Sequence, residues 1–510
     1  MRPYLYLIPI LLLCVLWGSC RKDFDYPPSI GRLEFSRDTV FLDTVFTNIG
    51  SSTYTLKVYN RTGDDFNIPE VRLADGQASS YRLNVDGIAG KEFTDIPILA
   101  RDSLFIFVET TFDISQTSEN EFLHTDAIEF NSVGSQQLVQ LVTLVKDAVF
   151  LFPNEAPDGS KETISLGLDE EGNEIRVEGF TLSGTALNFT NEKPYVIFGY
   201  AEVPNGEVLT VDAGSRVHFH KNSGIYVAEG GTVRINGLLS SDTLLLENEV
   251  IFEGDRLEPE FSDTPGQWGT IWLANGSGPH EINYLSILNA TVGLLVEGQT
   301  AVAPPNLIIR NSKIYNSANI NLWARTAVIN GENLVLGNAG NASLYCNLGG
   351  NYSFVHSTIA NYWNNGFRSG SALQIDNFGT TGMAADLSGA NFINCVVDGN
   401  NNLELSLRSN GANTFNFNFT NCLVKFDDNR GQFTTDPFYD FGNTSLYNTI
   451  VLNGTTDFVD RINNDFRIGP LSDAIGNAEI NTALLVPLDV LGTDRTISPD
   501  VGAYQFIPDR

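Results

Sequence analysis

Short runs in which apolar and polar residues alternate dominate the chain between residues 31 and 151. Tyr54–Tyr59 alternates with a period of two and ends at the turn signal Asn60–Gly63, and Ser103–Val108 and Leu138–Val142 show the same pattern. Alternation of this kind is typical of strands that bury one face, and closely spaced short strands indicate an antiparallel sandwich. The sequence therefore predicts an all-β chain that begins with a β-sandwich over residues 31–151.

A different pattern recurs in the second half of the chain. Segments that start with a polar residue, most often Asn, continue into β-branched residues at intervals in the twenties, with one longer interval of 38 residues. The segments start at Tyr284, Asn311, Asn333, His356, Asn394, Asn421 and Asn448. A period of this length means one supersecondary unit per repeat. Helical repeats are excluded because the apolar stripe with a period of 3.6 residues is missing, and leucine-rich repeats because Leu is not fixed in position.

The remaining architecture is a right-handed parallel β-helix over residues 195–460, with a connector over 152–194 and a closing segment over 461–510. Aliphatic residues at equivalent positions are expected to stack inside it, and Asn at the corners is expected to pair from coil to coil. The expected inward positions are Ile287, Ile314, Ile359, Val397, Val424 and Val451. The long interval predicts a coil with an inserted loop around residues 370–389.

The N-terminus carries a targeting signal. A positive start precedes the apolar run Tyr4–Trp17, which is shorter than a membrane span and is followed by Gly18-Ser19-Cys20. This ending resembles a bacterial lipobox, and Arg21–Asp25 resembles the surface-export signal of Bacteroidetes lipoproteins. The resemblance implies a signal peptide over residues 1–19, a lipidated Cys20, a linker over 20–30, and a place in the outer membrane facing the cell exterior. Ordinary cleavage near Ser19 with an unmodified Cys is the alternative.

Two further resemblances agree with this location. The turn Asn48–Ser52 between two strands is similar to immunoglobulin-like domains of the abnormal-spindle type. Leu209–Phe219, Gly266–Ile271 and the C-terminal Pro499–Tyr504 resemble the opening and closing segments of right-handed β-helix repeat proteins of Bacteroidetes. The resemblance is specific for the fold and much less so for the activity, because one fold hosts many functions.

The net charge and the cysteine content exclude some classes of binding partner and of metal site. With 30 basic and 61 acidic residues the chain has a net charge of −31, which argues against nucleic acid because phosphate binding needs clustered Lys and Arg. Cys346, Cys395 and Cys422 follow the signal and form no paired metal motif, so buried thiols are expected. A disulfide between Cys395 and Cys422, which occupy matching repeat positions, stays open.

A search for catalytic or metal-binding motifs finds no complete set. Of the motifs typical of pectinase-type hydrolases only Asp-Asp occurs, at Asp64-Asp65 and Asp427-Asp428, and the bases that a polysaccharide lyase needs are scattered. His218 and His220 share one strand face, but no third metal ligand is visible. No cofactor is expected; Ca²⁺ bound by Asp398–Asn402 or by Asp427–Asn429 is a weaker alternative.

Exposed aromatic side chains can stack on sugar rings, and Tyr362 with Trp363, between Asn361 and Asn364, is the candidate ligand-binding group. Trp268 is expected in the core. The sequence thus favours a surface lipoprotein with a non-catalytic binding or adhesion role, toward a glycan or a cell-surface protein. The alternatives are a lyase-like carbohydrate-active enzyme and a scaffold subunit of an envelope assembly.

Overall fold

The computed structural model describes residues 26–508 except 31, 113–120, 169–172, 300–303 and 380–381. The predicted signal peptide, Cys20 and the segment Arg21–Asp25 lie outside the described residues. Contacts divide the chain into two compact units at the boundary between Lys146 and Asp147. No helix in the described ranges has the length and apolarity that crossing a bilayer requires.

The first unit consists of two five-stranded sheets whose inner faces share one apolar core. In spatial order the first sheet contains Glu34–Phe35, Tyr54–Tyr59, Ser103–Thr110, Tyr81–Val85 and Ile88–Gly90. The second contains Thr39–Phe46, Ser135–Lys146, Glu121–Ser132, Phe66–Leu73 and Glu92–Ile98. Neighbouring strands are antiparallel, except that Ser135–Lys146 runs parallel to Thr39–Phe46. A 3₁₀ turn spans Gly76–Ala78. The predicted antiparallel sandwich is confirmed.

The second unit contains three long sheets, which we name sheets I, II and III. Sheet I contains Val149–Leu151, Tyr195–Ile197, Arg216–Phe219, Val250–Gly254, Leu285–Leu288, Lys313–Ser317, Val335–Ala339, Thr358–Asn361, Val396–Gly399, Leu423–Val424 and Val451–Leu452. Sheet II contains Thr163–Leu168, Glu174–Thr181, Tyr200–Val203, Gly224–Val227, Ile271–Leu273, Val292–Glu297, Ile320–Arg325, Ala342–Asn347, Leu373–Asp376 and Leu405–Arg408. Sheet III contains Asn188–Phe189, Val208–Asp212, Thr232–Asn236, His280–Asn283, Leu307–Arg310, Val328–Glu332, Gly350–Val355, Leu387–Ile393, Asn418–Thr420 and Tyr447–Asn448.

Successive coils contribute one strand to each of these sheets in turn. The chain passes from sheet I to II to III and then pairs in parallel with the coil before it, as Ile314 does with Ile287 and Leu336 with Ile314. Ile287 and Ile314, two of the expected inward residues, are fully buried and stack with the fully buried Leu336 in one aliphatic column. Burying one such side chain stabilises the fold by about 1.5–3 kcal/mol. The predicted parallel β-helix after a β-sandwich is confirmed.

The β-helix begins earlier than the sequence indicated. Residues 152–194, expected as a connector, contain Glu174–Thr181 of sheet II and Asn188–Phe189 of sheet III, each parallel to the coil that follows. Thr163–Leu168 pairs with Glu174–Thr181 in antiparallel fashion and forms a hairpin at the edge of sheet II. A 3₁₀ turn lies at Gly184–Leu187. The segment is therefore the first coil.

The last repeat is displaced by one residue from the predicted alignment. The corner residues of the earlier repeats have positive φ, and in the last repeat this conformation belongs to Thr449 instead of Asn448. Leu452 consequently pairs with Val424, and Val451 pairs with Leu423. Val451 was therefore wrong as a member of the inward column.

Asn side chains form a ladder at the corner between sheets III and I. Asn311, Asn333, Asn394 and Asn421 all adopt the left-handed conformation that Asn tolerates better than most residues. Nδ2 of Asn333 donates to Oδ1 of Asn311 at 2.9 Å, and Nδ2 of Asn311 donates to Oδ1 of Asn283 at the same distance. The predicted amide pairing between coils is present.

The C-terminal segment packs along the side of the β-helix. It contains the hairpin Phe458–Asp460 and Asp465–Ile468 and one short helix, Ile480–Leu485. The outward-facing residues of sheet I that it covers are apolar and buried, among them Val335, Ala360, Val396 and Leu423. Further 3₁₀ turns lie at Pro259–Phe261 and Pro437–Tyr439. The outside of sheet I is thus largely removed from solvent.

Candidate functional site

The predicted ligand-binding group lies beneath the C-terminal segment. Tyr362 is 6% exposed and Trp363 8%. The hydroxyl of Tyr362 donates to Oδ2 of Asp398 at 2.5 Å, and the ring packs edge-on against Phe458 at 6.1 Å between ring centroids. Neither ring offers a free face for a sugar, so stacking on Tyr362 and Trp363 is incompatible with the structure.

The two asparagines that flank Tyr362 and Trp363 differ in their exposure to solvent. Asn361 is fully buried and exchanges hydrogen bonds with the backbone of Ala339, whereas Asn364 is exposed. Asp398, considered as a Ca²⁺ ligand, also accepts from the hydroxyl of Thr456 at 2.6 Å. Tyr362 and Asp398 therefore join sheet I to its covering segment, a relation that the sequence alone did not reveal.

Other candidate residues named from the sequence form hydrogen bonds within the fold. Asp428 accepts from the backbone N–H groups of Gln432 and Phe433 within a turn. Trp268 is buried and its Nε1 donates to the carbonyl of Leu288 at 2.8 Å. Among the described residues no group of three or more His, Cys, Asp or Glu side chains is arranged to hold a metal ion.

A histidine–carboxylate pair stands out at the corner between sheets I and II. His220 directly follows strand Arg216–Phe219, and Asp255 directly follows the next strand of sheet I, Val250–Gly254. Because the two strands pair in register, the two side chains come together, and Nδ1 of His220 lies 2.7 Å from Oδ2 of Asp255. The imidazole is 49% exposed, whereas the carboxylate is 6% exposed. This is the geometry of a histidine held in one orientation by a buried acid.

The surroundings of His220 favour its charged form. The hydrogen bond that Nδ1–H of His220 donates to Asp255 raises the pKa of His220 above its usual value, and burial opposes this shift only in part. The ring of Phe198, one coil earlier at the same corner, lies 4.6 Å from the imidazole. Lys161 and Glu178 form an ion pair at 2.6 Å. Their charges also act on the pKa of His220, which Lys161 lowers and Glu178 raises. Since Nδ1 faces Asp255, Nε2 is the nitrogen left to exchange a proton with another molecule.

The same corner carries a groove of about 490 Å³. It is lined by Val177, Glu178, Tyr200, Asn222, Gly269, Thr270, Thr291 and Val292. The ring of Tyr200 packs directly against two glycines. A Cβ on Gly269 would lie 2.3 Å from the hydroxyl of Tyr200, and a Cβ on Gly224 would lie 2.7 Å from the Tyr200 ring. Only glycine leaves room for the ring at these two positions. Asn222 has a positive φ and ends the turn that His220 begins.

Sheet II carries an outward column beyond this groove that includes two neighbouring aromatic side chains. The aromatic column, one residue per coil, is Leu295, Trp323, Tyr345, Gln374 and Ser406. The rings of Trp323 and Tyr345 are nearly parallel, at 11°, with centroids 6.1 Å apart, and both are partly exposed. Such a stack gives a flat apolar strip on an otherwise polar surface.

A second outward column of sheet II lies beside the first. The charged column is Glu297, Arg325, Asn347, Asp376 and Arg408. Nη1 of Arg325 donates to Glu297 at 2.7 Å, and Nη2 of Arg408 donates to Asp376 at 2.9 Å. Tyr345 also donates to Asp376 at 2.7 Å. Burial raises the pKa of Tyr345, and the contact with Asp376 raises it further. Carboxylates thus hold both arginines and the tyrosine in place.

Comparisons with known proteins give a distant likeness to carbohydrate hydrolases. The catalytic unit of a glycoside hydrolase family 87 α-1,3-glucanase from Streptomyces thermodiastaticus is 12% identical over 72% of this chain and 74% of its own, with a TM-score of 0.29. Another family 87 α-1,3-glucanase catalytic domain is 10% identical over 72% of this chain and 81% of its own, with a TM-score of 0.17.

A family 123 glycoside hydrolase from Clostridium perfringens is 8% identical, with a TM-score of 0.17; the alignment spans 22% of this chain and 23% of that enzyme. No protein-family model and no curated protein sequence matches the chain. These comparisons contradict the expected non-catalytic binding or adhesion role, because glycoside hydrolases are among the solved structures that match.

Proposed function

We propose that this protein is a carbohydrate-active enzyme that cleaves glycosidic bonds at the corner between sheets I and II, with His220 as general base. The observation that carries the proposal is the 2.7 Å contact between Nδ1 of half-exposed His220 and the nearly buried Asp255. Proton transfer requires a base that is accessible to the substrate and held in one orientation, and Asp255 holds His220 in this way. Asp255 is then a positioning residue.

The groove supplies the place for a substrate. Its lining combines the ring of Tyr200 with hydroxyl, amide and carboxylate groups from Thr270, Asn222 and Glu178. A concave site with an apolar lining and a few polar groups is typical of ligand-binding sites. A second proton-transfer group is needed for glycoside cleavage, and Glu253, on the strand that directly precedes Asp255, is 34% exposed beside His218.

The test is depolymerisation of a panel of neutral and acidic polysaccharides by the purified protein, measured as new reducing ends. We expect one polymer to be cleaved and His220→Ala to lower kcat by at least about 100-fold, the range of general acid–base catalysis. Lys221→Ala, one residue away and exposed, is the matched control and should keep full activity. Thermal unfolding of both variants checks their folding. Cleavage unaffected by H220A, or no cleavage of any polymer, would contradict the proposal.

We also propose that the chain is anchored to the outer membrane through a lipid on Cys20 and faces the cell exterior. The support is the apolar run that ends at Gly18-Ser19-Cys20 and the following Arg21–Asp25. Several acyl chains on one Cys make a durable anchor. Labelling of cells with a radioactive fatty acid should mark the protein and not its Cys20→Ala variant, and protease added to intact cells should digest it. A sandwich of the abnormal-spindle immunoglobulin-like type would then lie nearest the anchor in sequence.

A further inference from the structure

We infer that the substrate of this enzyme is a neutral glycan whose sugar rings lie along the aromatic column of sheet II. The inference rests on the proposed function and adds to it the chemical class of the substrate. It stands on the geometry of Trp323 and Tyr345 and on the charges beside them.

The two rings form a platform of the right kind for pyranoses. Trp323 and Tyr345 pair in register on neighbouring coils, and their planes differ by 11°. The C–H face of a pyranose ring packs on aromatic faces for the same reason that other apolar groups do, and its hydroxyls remain at the edge. Coils repeat about every 4.8 Å, so the five positions of the aromatic column span roughly 19 Å, enough for several sugar units.

The charges beside the platform cancel. Glu297 and Asp376 are negative, Arg325 and Arg408 are positive, and each arginine contacts one of the acids. The charged column therefore offers donors and acceptors to hydroxyl groups without a net charge. An acidic glycan would have to displace a carboxylate from an arginine, and it would approach a chain with a net charge of −31.

The class of substrate fixes the class of reaction. A neutral sugar has no carboxyl group beside C5 to acidify its proton, so β-elimination is unavailable and the bond is cleaved by hydrolysis. The oxygen of water bonds to C1 while the C1–O bond to the leaving sugar breaks. One proton passes from the water to His220, and the departing oxygen takes one from an acid or from solvent, which leaves two free hydroxyl ends.

The experiment measures binding and cleavage separately with the full chain. Affinity electrophoresis is run in gels that contain neutral polymers (an α-glucan, a β-glucan, a mannan, a xylan) or acidic ones (polygalacturonate, alginate, hyaluronan). We expect retardation by at least one neutral polymer, none by the acidic ones, and at least tenfold weaker binding for Trp323→Ala and Tyr345→Ala. Phe367→Ala is the matched control, because this ring is 92% exposed but lies on a loop outside the aromatic column.

The outcomes separate the two proposals. Retention of H220A by a neutral polymer, lost in W323A, supports the inference even if no polymer is cleaved, in which case only the proposed enzyme activity fails. Cleavage of an acidic polymer with formation of an unsaturated sugar overturns the inference and leaves the enzyme proposal standing. Tighter retention by an acidic polymer than by every neutral one, no retention at all, or equal retention of W323A and the natural chain also overturns it.

Discussion

Nδ2 of Asn394 donates a hydrogen bond to Nε2 of His356 at 2.9 Å, so an imidazole takes the place of an amide in the corner ladder of the β-helix. His356 is fully buried and has the left-handed conformation of its Asn neighbours. Burial, with the nearby Arg495, lowers the pKa of His356 to about 2. The ladder therefore contains a group that stays neutral in the folded protein while it titrates in the unfolded chain.

This difference predicts acid sensitivity. Between an unfolded pKa near 6.5 and the folded value, only the unfolded state binds the proton, so the free energy of unfolding falls as the pH drops below about 6.5. His356→Asn removes this contribution. Between pH 7 and pH 5 the natural chain should lose about 2 kcal/mol more than the variant in denaturant titrations. Parallel pH curves would contradict the assignment; His220, whose pKa is raised, contributes with the opposite sign and loses its contribution as the pH rises.

The covering of sheet I depends on Phe466. This ring is fully buried, lies 5.2 Å from Phe458, and occupies the space where a Cβ on Gly337 would lie 2.2 Å from it. Phe466→Ala should lower the free energy of unfolding by about 3–5 kcal/mol. Limited proteolysis should then cut within residues 458–506 before the rest of the chain. Phe367→Ala, at an exposed ring, should change neither; equal proteolysis of both variants would speak against the covering role.

A buried ion pair joins Arg368 to Glu404. Both side chains are almost fully buried, and the carboxylate also accepts from the backbone N–H groups of Ala372 and Asn401. Arg368→Met should cost about 3–5 kcal/mol because it leaves an uncompensated acid whose pKa burial already raises. Denaturant titration should show that R368M/E404Q costs less than the two single changes together. Arg430→Met, at an exposed position, is the control; additive costs would mean that the pair is not coupled.

The orientation of His220 predicts a shift in the pH profile of any activity. Since the contact with Asp255 raises the pKa of His220, a general base at this position loses activity as the pH falls through that value. In Asp255→Asn the acid limb of kcat/KM should move to lower pH, and the maximum should fall by about tenfold or more because the ring is no longer held. A profile that keeps its position in D255N would exclude His220 as the base.

The three cysteines of the described chain should react only after unfolding. Cys346, Cys395 and Cys422 are buried and free, and burial raises the pKa of Cys346 and Cys395 well above the usual value. Alkylation followed by peptide mass spectrometry should mark none of them in the native protein and all three in denaturant. A different result would establish the Cys395–Cys422 disulfide that the sequence left open. In that case denaturant would expose only Cys346 to alkylation, and Cys395 and Cys422 would react only after a reductant is added.

The repeat made the fold predictable. A polar corner residue in a left-handed conformation recurs once per coil, and Asn is the residue that both tolerates it and pairs with its neighbours, so the ladder is visible in the sequence. The register failed only at the last repeat, where Thr449 takes the corner conformation one residue after Asn448. Composition alone does not distinguish these two positions.

The candidate site was less accessible to sequence reasoning. His218 and His220 were noticed, but the partner Asp255 follows 35 residues later, because strands of sheets II and III and a loop lie between two strands that pair in space. Trp323 and Tyr345 are 22 residues apart, the same interval that separates Asn311 from Asn333, so the coil period could have found that pair. Tyr362 and Trp363 misled because the segment that hides them is separated from them by about a hundred residues of chain.

The apolar outer side of sheet I stays exposed until the C-terminal segment has been synthesised and has folded onto it. Val335, Val396 and Leu423 belong to coils that are synthesised before the segment that shelters them. A chain whose coils form before its final fifty or so residues have folded exposes an apolar strip along sheet I. Nonsense mutations late in the gene should therefore yield aggregates in place of shortened but working protein.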